Sequence, residues 1–127
     1  MGPSTVIGRY LSVPGRLAYH DICERLSSGN LTKVFDSYSM APYAHENLTK
    51  TWVSYDDLES VRIKCRWTME KSYAGVVFWD ISLDDYNGSC SAITFPLVRG
   101  AMSTLAPSAD VPFSVENRGT NFEIFPT

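Results

Sequence analysis

At two places in the chain, adjacent carboxylates follow a short apolar segment, an arrangement that could supply acid–base groups or ligand contacts. The apolar segments are residues 51–55 and 75–79, and the carboxylates that follow them are Asp56 with Asp57 and Asp84 with Asp85. A helical pattern lies between the two segments, so the sequence predicts a βαβ unit with both acidic pairs at the carboxyl ends of its strands. That edge of a parallel sheet is where α/β proteins place their chemistry.

The helix between the two segments is predicted from the spacing of its apolar residues. Leu58, Val61, Cys65 and Met69 recur at steps of three and four residues, which is the helical period, so a helix is expected over residues 58–71.

The remaining elements follow from composition and turn residues. The sequence predicts a helix over 17–26, a short hairpin formed by 34–35 and 41–44, a strand at 51–55 and a last helix over 91–105. Residues 75–79 are apolar at successive positions, which favours a parallel strand buried on both faces. Residues 1–14 are expected to be irregular, and residues 106–127 to form a linker or tail.

The paired carboxylates are better explained by structure than by catalysis. Neighbouring residues on a strand point to opposite faces, so an adjacent pair cannot converge on one reacting bond. Asp56 or Asp57 is expected to cap the following helix, and Asp84 and Asp85 are expected to brace the loop that leaves the second strand.

Charge and composition exclude several classes of function. The 127-residue chain has a net charge of −3 and no basic stripe, so no nucleic-acid partner is expected. No apolar run is long enough for a membrane span. No two Cys or His residues have metal-ligand spacing, and neither His20 nor His45 lies in a cysteine-nucleophile motif. We therefore expect no metal and no cofactor.

Several motifs, in order along the chain, resemble family 18 glycoside hydrolases, the chitinases and chitinase-like lectins. Residues 52–60 are similar to the family's W-V-x-Y-D-D-x-x-S, and residues 75–90 to its G-x-x-x-W-x-x-D-x-D-D-x-x-G-x-C. Residues 15–23 resemble G-x-L-A-Y-x-E-I-C, and residues 95–97 resemble the final Y-P-L before the last helix.

The resemblance implies an α/β fold, namely part of a (β/α)8 TIM barrel. The last two strand–helix units would occupy residues 51–105, preceded over residues 1–50 by the end of a small α+β insertion domain. Residues 106–127 would be a linker or tail. A complete barrel of this kind needs about 250 residues.

The resemblance also implies roles for individual residues. Trp79 matches the tryptophan on which the sugar at the cleavage subsite stacks, and Tyr55, at the other strand end, would also contact the substrate. Cys23 and Cys90 match the family's disulfide. Cys65 lies on the apolar stripe of the helix predicted over residues 58–71 and is expected to be a buried free thiol. The implied ligand is chitin or a chitooligosaccharide, bound weakly.

The family's catalytic motif, D-x-x-D-x-D-x-E, does not occur in the sequence. Val13, Val77 and Ser82 also replace residues that are common in the family. We therefore expect a truncated chitinase-like protein that binds chitooligosaccharides without hydrolysing them on its own. The alternatives are a C-terminal piece of an active secreted chitinase and a non-enzymatic interaction module that self-associates through unpaired strand edges.

Three N-glycosylation sequons begin at Asn30, Asn47 and Asn87. Together with the implied disulfide they favour an extracellular, secreted protein, although the N-terminus has no apolar signal core.

Overall fold

The computed structural model describes residue 8 and residues 13–106. Its elements in chain order are α1 (Tyr19–Ser27), β1 (Thr32–Asp36), β2 (Ala41–Glu46), β3 (Thr51–Ser54), α2 (Leu58–Glu70), a 3₁₀ turn (Ile81–Leu83) and α3 (Pro96–Leu105). The predictions for residues 107–127 and for most of residues 1–14 lie outside the described residues.

The predicted hairpin is confirmed, and it forms the first two strands of a three-stranded antiparallel sheet in the order β1-β2-β3. Its turn is closed by the Asp36 carboxylate, which accepts hydrogen bonds from the backbone N–H of Tyr38 at 3.0 Å and from the Ser39 hydroxyl at 2.7 Å. These bonds, the Ser39 hydroxyl first, lower the pKa of Asp36.

Helix α2 begins and ends within one residue of its prediction, and its first turn decides which aspartate caps it. The backbone N–H of Ser60 donates to Asp57 at 2.8 Å, and the backbone N–H of Asp57 donates to the Ser60 hydroxyl at 3.0 Å. This reciprocal pair is a capping box, so Asp57 is the N-cap.

Two apolar clusters hold the elements together. In one, Val61 and Cys65 of α2 pack against Leu97 and Ala101 of α3. The helices cross closely at Gly100, where an added Cβ would lie 2.2 Å from a Leu58 methyl carbon. The second cluster joins α1 to the inner face of the sheet through Ile22, Leu31 and Ala44.

The predicted βαβ unit is not formed by the described residues. Strand β3 pairs antiparallel with β2, and residues 75–79 are extended but belong to no strand. Their burial alternates, with Val76 and Phe78 partly buried against the helix cluster and Val77 and Trp79 exposed. The expectation of burial on both faces is therefore wrong for these residues, because a strand is covered on both sides only when other elements lie along it.

Helix α3 starts five residues later than predicted. The backbone N–H groups of Ser89 and Cys90 donate to the Asp85 carboxylate at 3.0 and 2.9 Å, which holds this stretch in turns. Phe95 then adopts a left-handed conformation, and the helix begins at Pro96. Proline is well suited to this first position because it has no N–H to leave unpaired.

Candidate functional site

Trp79 ends the extended segment 75–79 and projects away from the helix cluster, with 85% of its surface exposed. It lines an open cavity of about 710 Å³. The walls of this cavity come from residues 15–17, the end of β3, α2 and the segment 76–80. An exposed indole beside a cavity presents an apolar face on which a flat, weakly polar ligand can stack.

Tyr55, the second predicted binding residue, lines the same cavity, so the structure brings Trp79 and Tyr55 together. The Tyr55 hydroxyl is buried and makes no hydrogen bond among the described residues. Its ring centroid lies 6.5 Å from that of Tyr19. Burial, with the nearby Asp57 charge, raises the pKa of Tyr55, so the residue stays a neutral phenol.

Charged groups line the cavity as well. The Lys64 ammonium donates to Asp56 at 2.6 Å, and Asp56 also accepts from the Ser60 hydroxyl at 2.8 Å. Arg16 and Asp80 are further lining residues. Arg16, Lys64 and Asp80 were not predicted from the sequence. The available signal for Lys64 was its spacing: it lies one helical turn after Ser60, so both side chains can reach Asp56.

The Asp84 carboxylate braces the loop after residues 75–79, as predicted. It accepts hydrogen bonds from the backbone N–H groups of Leu97 at 3.1 Å, Val98 at 3.0 Å and Asp85 at 2.8 Å. Asp84 therefore supplies a cap to α3 from a distant part of the chain, and the negative charge lies where the helix dipole favours it. Neither Asp84 nor Asp85 is free to act as an acid–base group.

Cys23 and Cys90, whose pairing is implied by the resemblance, are free thiols, and hydrogen bonding between them shifts the pKa of each. Hydrogen bonding from Cys90, and then from Tyr19, lowers the pKa of Cys23 although Cys23 is buried. The same interaction with Cys23 raises the pKa of Cys90. Cys65 is buried in the helix cluster, and burial raises its pKa. The disulfide itself remains a prediction.

The three sequon asparagines, Asn30, Asn47 and Asn87, are all exposed. Each lies in a bend or turn, where a glycan would project into solvent. Their modification remains a prediction.

Among the described residues, no cluster of three or more His, Cys, Asp or Glu side chains could hold a metal ion. The helices of the same part of the chain are all too short or too polar to cross a membrane.

A family model for glycosyl hydrolases family 18 matches residues 7–84. The chain belongs to this family. One curated relative, probable chitinase 10 of Drosophila melanogaster, is 36% identical over 98 residues, which cover 72% of the chain and 4% of the relative. The predicted resemblance is thereby confirmed.

Solved structures of the family share the fold. A mutant of catalytic domain 2 of the Ostrinia furnacalis Group II chitinase, solved in complex with penta-N-acetylchitooctaose, superposes with a TM-score of 0.76 at 25% identity, covering 84% of this chain and 28% of that one. Human YKL-39, a pseudo-chitinase with retained chitooligosaccharide binding properties, superposes at 0.71 and 28% identity, covering 83% and 27%.

The described residues of this family 18 chain thus form a partial α/β unit with the fold of chitinase TIM-barrel domains, as predicted, and the chain spans less than a third of each of these proteins. The proposed division at residue 50 remains a prediction. Strand β3, which was assigned to the barrel, hydrogen bonds to β2 on the other side of that division.

Proposed function

We propose that this family 18 chain binds chitin or chitooligosaccharides weakly through Trp79 and does not hydrolyse them on its own. The observation that carries the proposal is the 85% exposed indole of Trp79 beside an open cavity that Tyr55 also lines. Solved relatives of similar fold support the ligand class, since one is in complex with a chitooligosaccharide and another retains chitooligosaccharide binding without being an active chitinase.

The expected affinity for soluble oligosaccharides is millimolar. One large aromatic side chain contributes roughly 1.5–3 kcal/mol when it is buried, whereas association costs at least about 4 kcal/mol in lost freedom. Tyr55 offers its ring rather than a hydrogen bond, because its hydroxyl is buried. The groups that would hydrogen bond to sugar hydroxyl and acetamido groups are therefore few.

Replacing Trp79 by alanine is expected to abolish this binding. Titration of the full chain with chitohexaose, followed by NMR chemical shifts, measures the change. The matched control is Trp67→Ala, because Trp67 is also an exposed tryptophan, at 50%, and its ring lies beside that of Tyr73 rather than lining the cavity. Micromolar binding, or binding that survives in the Trp79 variant, would show that the site lies elsewhere.

No hydrolysis of chitin oligomers is expected from this chain. The general acid of the family comes from D-x-x-D-x-D-x-E, which the sequence lacks. The three carboxylates that line the cavity are engaged in structural bonds: Asp56 with Lys64, Asp80 with the 3₁₀ turn, and Asp84 with the α3 backbone. Incubation with a fluorogenic chitobioside should release no more product than buffer does. Turnover that persists through repurification would contradict this prediction.

A second candidate function is favoured by how little of each relative the chain covers, 4% of one chitinase and 28% of another. In that case the chain supplies the Trp79 side of the substrate site of an active, endo-acting chitinase. The general acid of that enzyme would lie in residues that this sequence does not include. A transcript that continues upstream of Met1 into a signal sequence and D-x-x-D-x-D-x-E would favour this candidate.

Both candidates imply an extracellular glycoprotein, which mass analysis of the secreted chain at Asn30, Asn47 and Asn87 would test.

A non-enzymatic interaction protein is the third candidate, and the position of β3 favours it. Strand β3 is at the edge of the described sheet, so one row of its backbone groups is available to another strand. Light scattering of the purified chain would detect self-association through this edge.

A further inference from the structure

The outer face of the sheet carries three neighbouring aromatic rings, two of which are stacked. The strand register places His45 opposite Trp52, and Tyr43 opposite Ser54, so their side chains share one face. The ring centroids of Tyr43 and Trp52 are 6.0 Å apart with an interplanar angle of 28°, and those of Tyr43 and His45 are 6.4 Å apart at 32°. We call this the outer sheet face; its central residues are Thr32, Val34, Tyr43, His45, Trp52 and Ser54.

The two faces of the sheet differ sharply in burial. On the inner face, Ala44 is fully buried and packs with Ile22 of α1. On the outer sheet face, 64% of the Trp52 surface is exposed. Single exposed apolar residues are common, whereas neighbouring aromatic rings that form a patch open to solvent are typical of a binding surface.

The chemistry of the outer sheet face indicates its ligand. None of its six central side chains is Asp, Glu, Lys or Arg. Asp36, at the hairpin end of the same face, is bonded to its own turn, so the face has little to attract a strongly charged partner. Aromatic rings stack on the apolar C–H faces of pyranose sugars. Thr32, His45 and Ser54 surround the rings with groups that can hydrogen bond to sugar hydroxyls.

The outer sheet face is also continuous with the cavity beside Trp79. Ser54 lies on this face, two residues after Trp52, and it also lines the cavity. Two residues of a strand span about 7 Å. A sugar polymer that leaves the cavity past Ser54 therefore meets the Trp52 ring next.

We propose that the outer sheet face, with Trp52 stacked on Tyr43, is a second stacking surface for a long, neutral polymer of β-linked N-acetylglucosamine. This inference rests on the proposed function for its ligand class and adds a separate site. It assigns short oligomers to Trp79 alone and polymer chains to Trp79 and Trp52 together.

The test is sedimentation of the full chain with insoluble chitin, together with titration by soluble chitobiose. Trp52→Ala is expected to weaken binding to insoluble chitin about tenfold, the factor that corresponds to 1.4 kcal/mol, and to leave chitobiose binding unchanged. Trp52→Phe should keep most of the binding, because a ring remains. The control is Trp67→Ala, which removes an exposed tryptophan from α2 and should change neither measurement.

The outcomes separate this inference from the proposed function. If Trp52→Ala binds insoluble chitin as the unmodified chain does, the second surface is disproved, whatever Trp79→Ala does to chitobiose. If Trp79→Ala has no effect on chitobiose but Trp52→Ala loses tenfold on insoluble chitin, the outer sheet face is supported and the Trp79 site fails. If Trp52→Ala instead dissociates a dimer seen by light scattering and chitin binding is unaffected, the face is a protein interface and the inference is overturned.

Discussion

Oxidation of Cys23 and Cys90 to a disulfide is expected to raise the free energy of unfolding by about 4 kcal/mol, because the bond closes a long loop and removes entropy from the unfolded chain. The bond would join α1 to the turns that precede α3. The two thiols lie near enough for hydrogen bonding between them to shift the pKa of each.

The pKa shifts predict which thiols react. Thiol oxidation proceeds through the thiolate. The pKa of Cys23 is lowered by the hydrogen bond from Cys90, so its thiolate is populated at a lower pH than that of an ordinary cysteine. Burial raises the pKa of Cys65, which keeps that thiol protonated to a higher pH. Near neutral pH we expect Cys23 to pair with Cys90 and Cys65 to stay reduced.

Urea unfolding with and without a reducing agent measures the effect on stability, and mass mapping of a non-reduced digest identifies the pairing. The matched control is the double variant Cys23→Ala with Cys90→Ala, whose stability should not respond to the reducing agent. A bridge that contains Cys65 would mean that its place in the α2–α3 cluster is wrong.

Local signals in the sequence were sufficient for α2 and for the hairpin. The helical period of the α2 residues and the capping chemistry of Asp57 act within a few residues, so both helix ends were predicted within one position. The hairpin likewise depends on a turn whose carboxylate, that of Asp36, bonds to its own neighbours. Such features are visible in a short window of sequence.

Most of the errors came from long-range effects. Whether residues 75–79 form a strand depends on which strands lie beside them, and local composition cannot supply that information. The start of α3 was missed for a local reason: the Asp85 carboxylate accepts hydrogen bonds from Ser89 and Cys90, four and five residues later, and so holds in turns a stretch whose apolar spacing resembles that of a helix. The aromatic surface was missed because Tyr43 and Trp52 meet only through the register of β2 and β3. Trp79 was found through the family resemblance, since a strand-terminal tryptophan alone is more typical of a core.

Replacing Asp84 by alanine is expected to lower the free energy of unfolding by about 3 kcal/mol. Its carboxylate is buried and accepts hydrogen bonds from Leu97, Val98 and Asp85. Each buried donor left without a partner costs about 1–3 kcal/mol. The residue at the N-cap position of α3, Phe95, has no side-chain cap of its own, so no neighbouring group can take over.

The conservative variant Asp84→Asn separates hydrogen bonding from charge. Asparagine keeps one acceptor oxygen but loses the negative charge at the start of α3, so its loss of stability should be smaller than that of the alanine variant. The control is Asp80→Ala, since the exposed Asp80 carboxylate caps only the 3₁₀ turn and water can replace it; a change of about 0.5 kcal/mol is expected. Urea unfolding followed by far-UV circular dichroism measures all three. If Asp84→Ala were no more destabilised than Asp80→Ala, the Asp84 carboxylate would not be what anchors α3. The loop after Trp79 would then be held only by the hydrogen bonds that the Asp85 carboxylate accepts from Ser89 and Cys90.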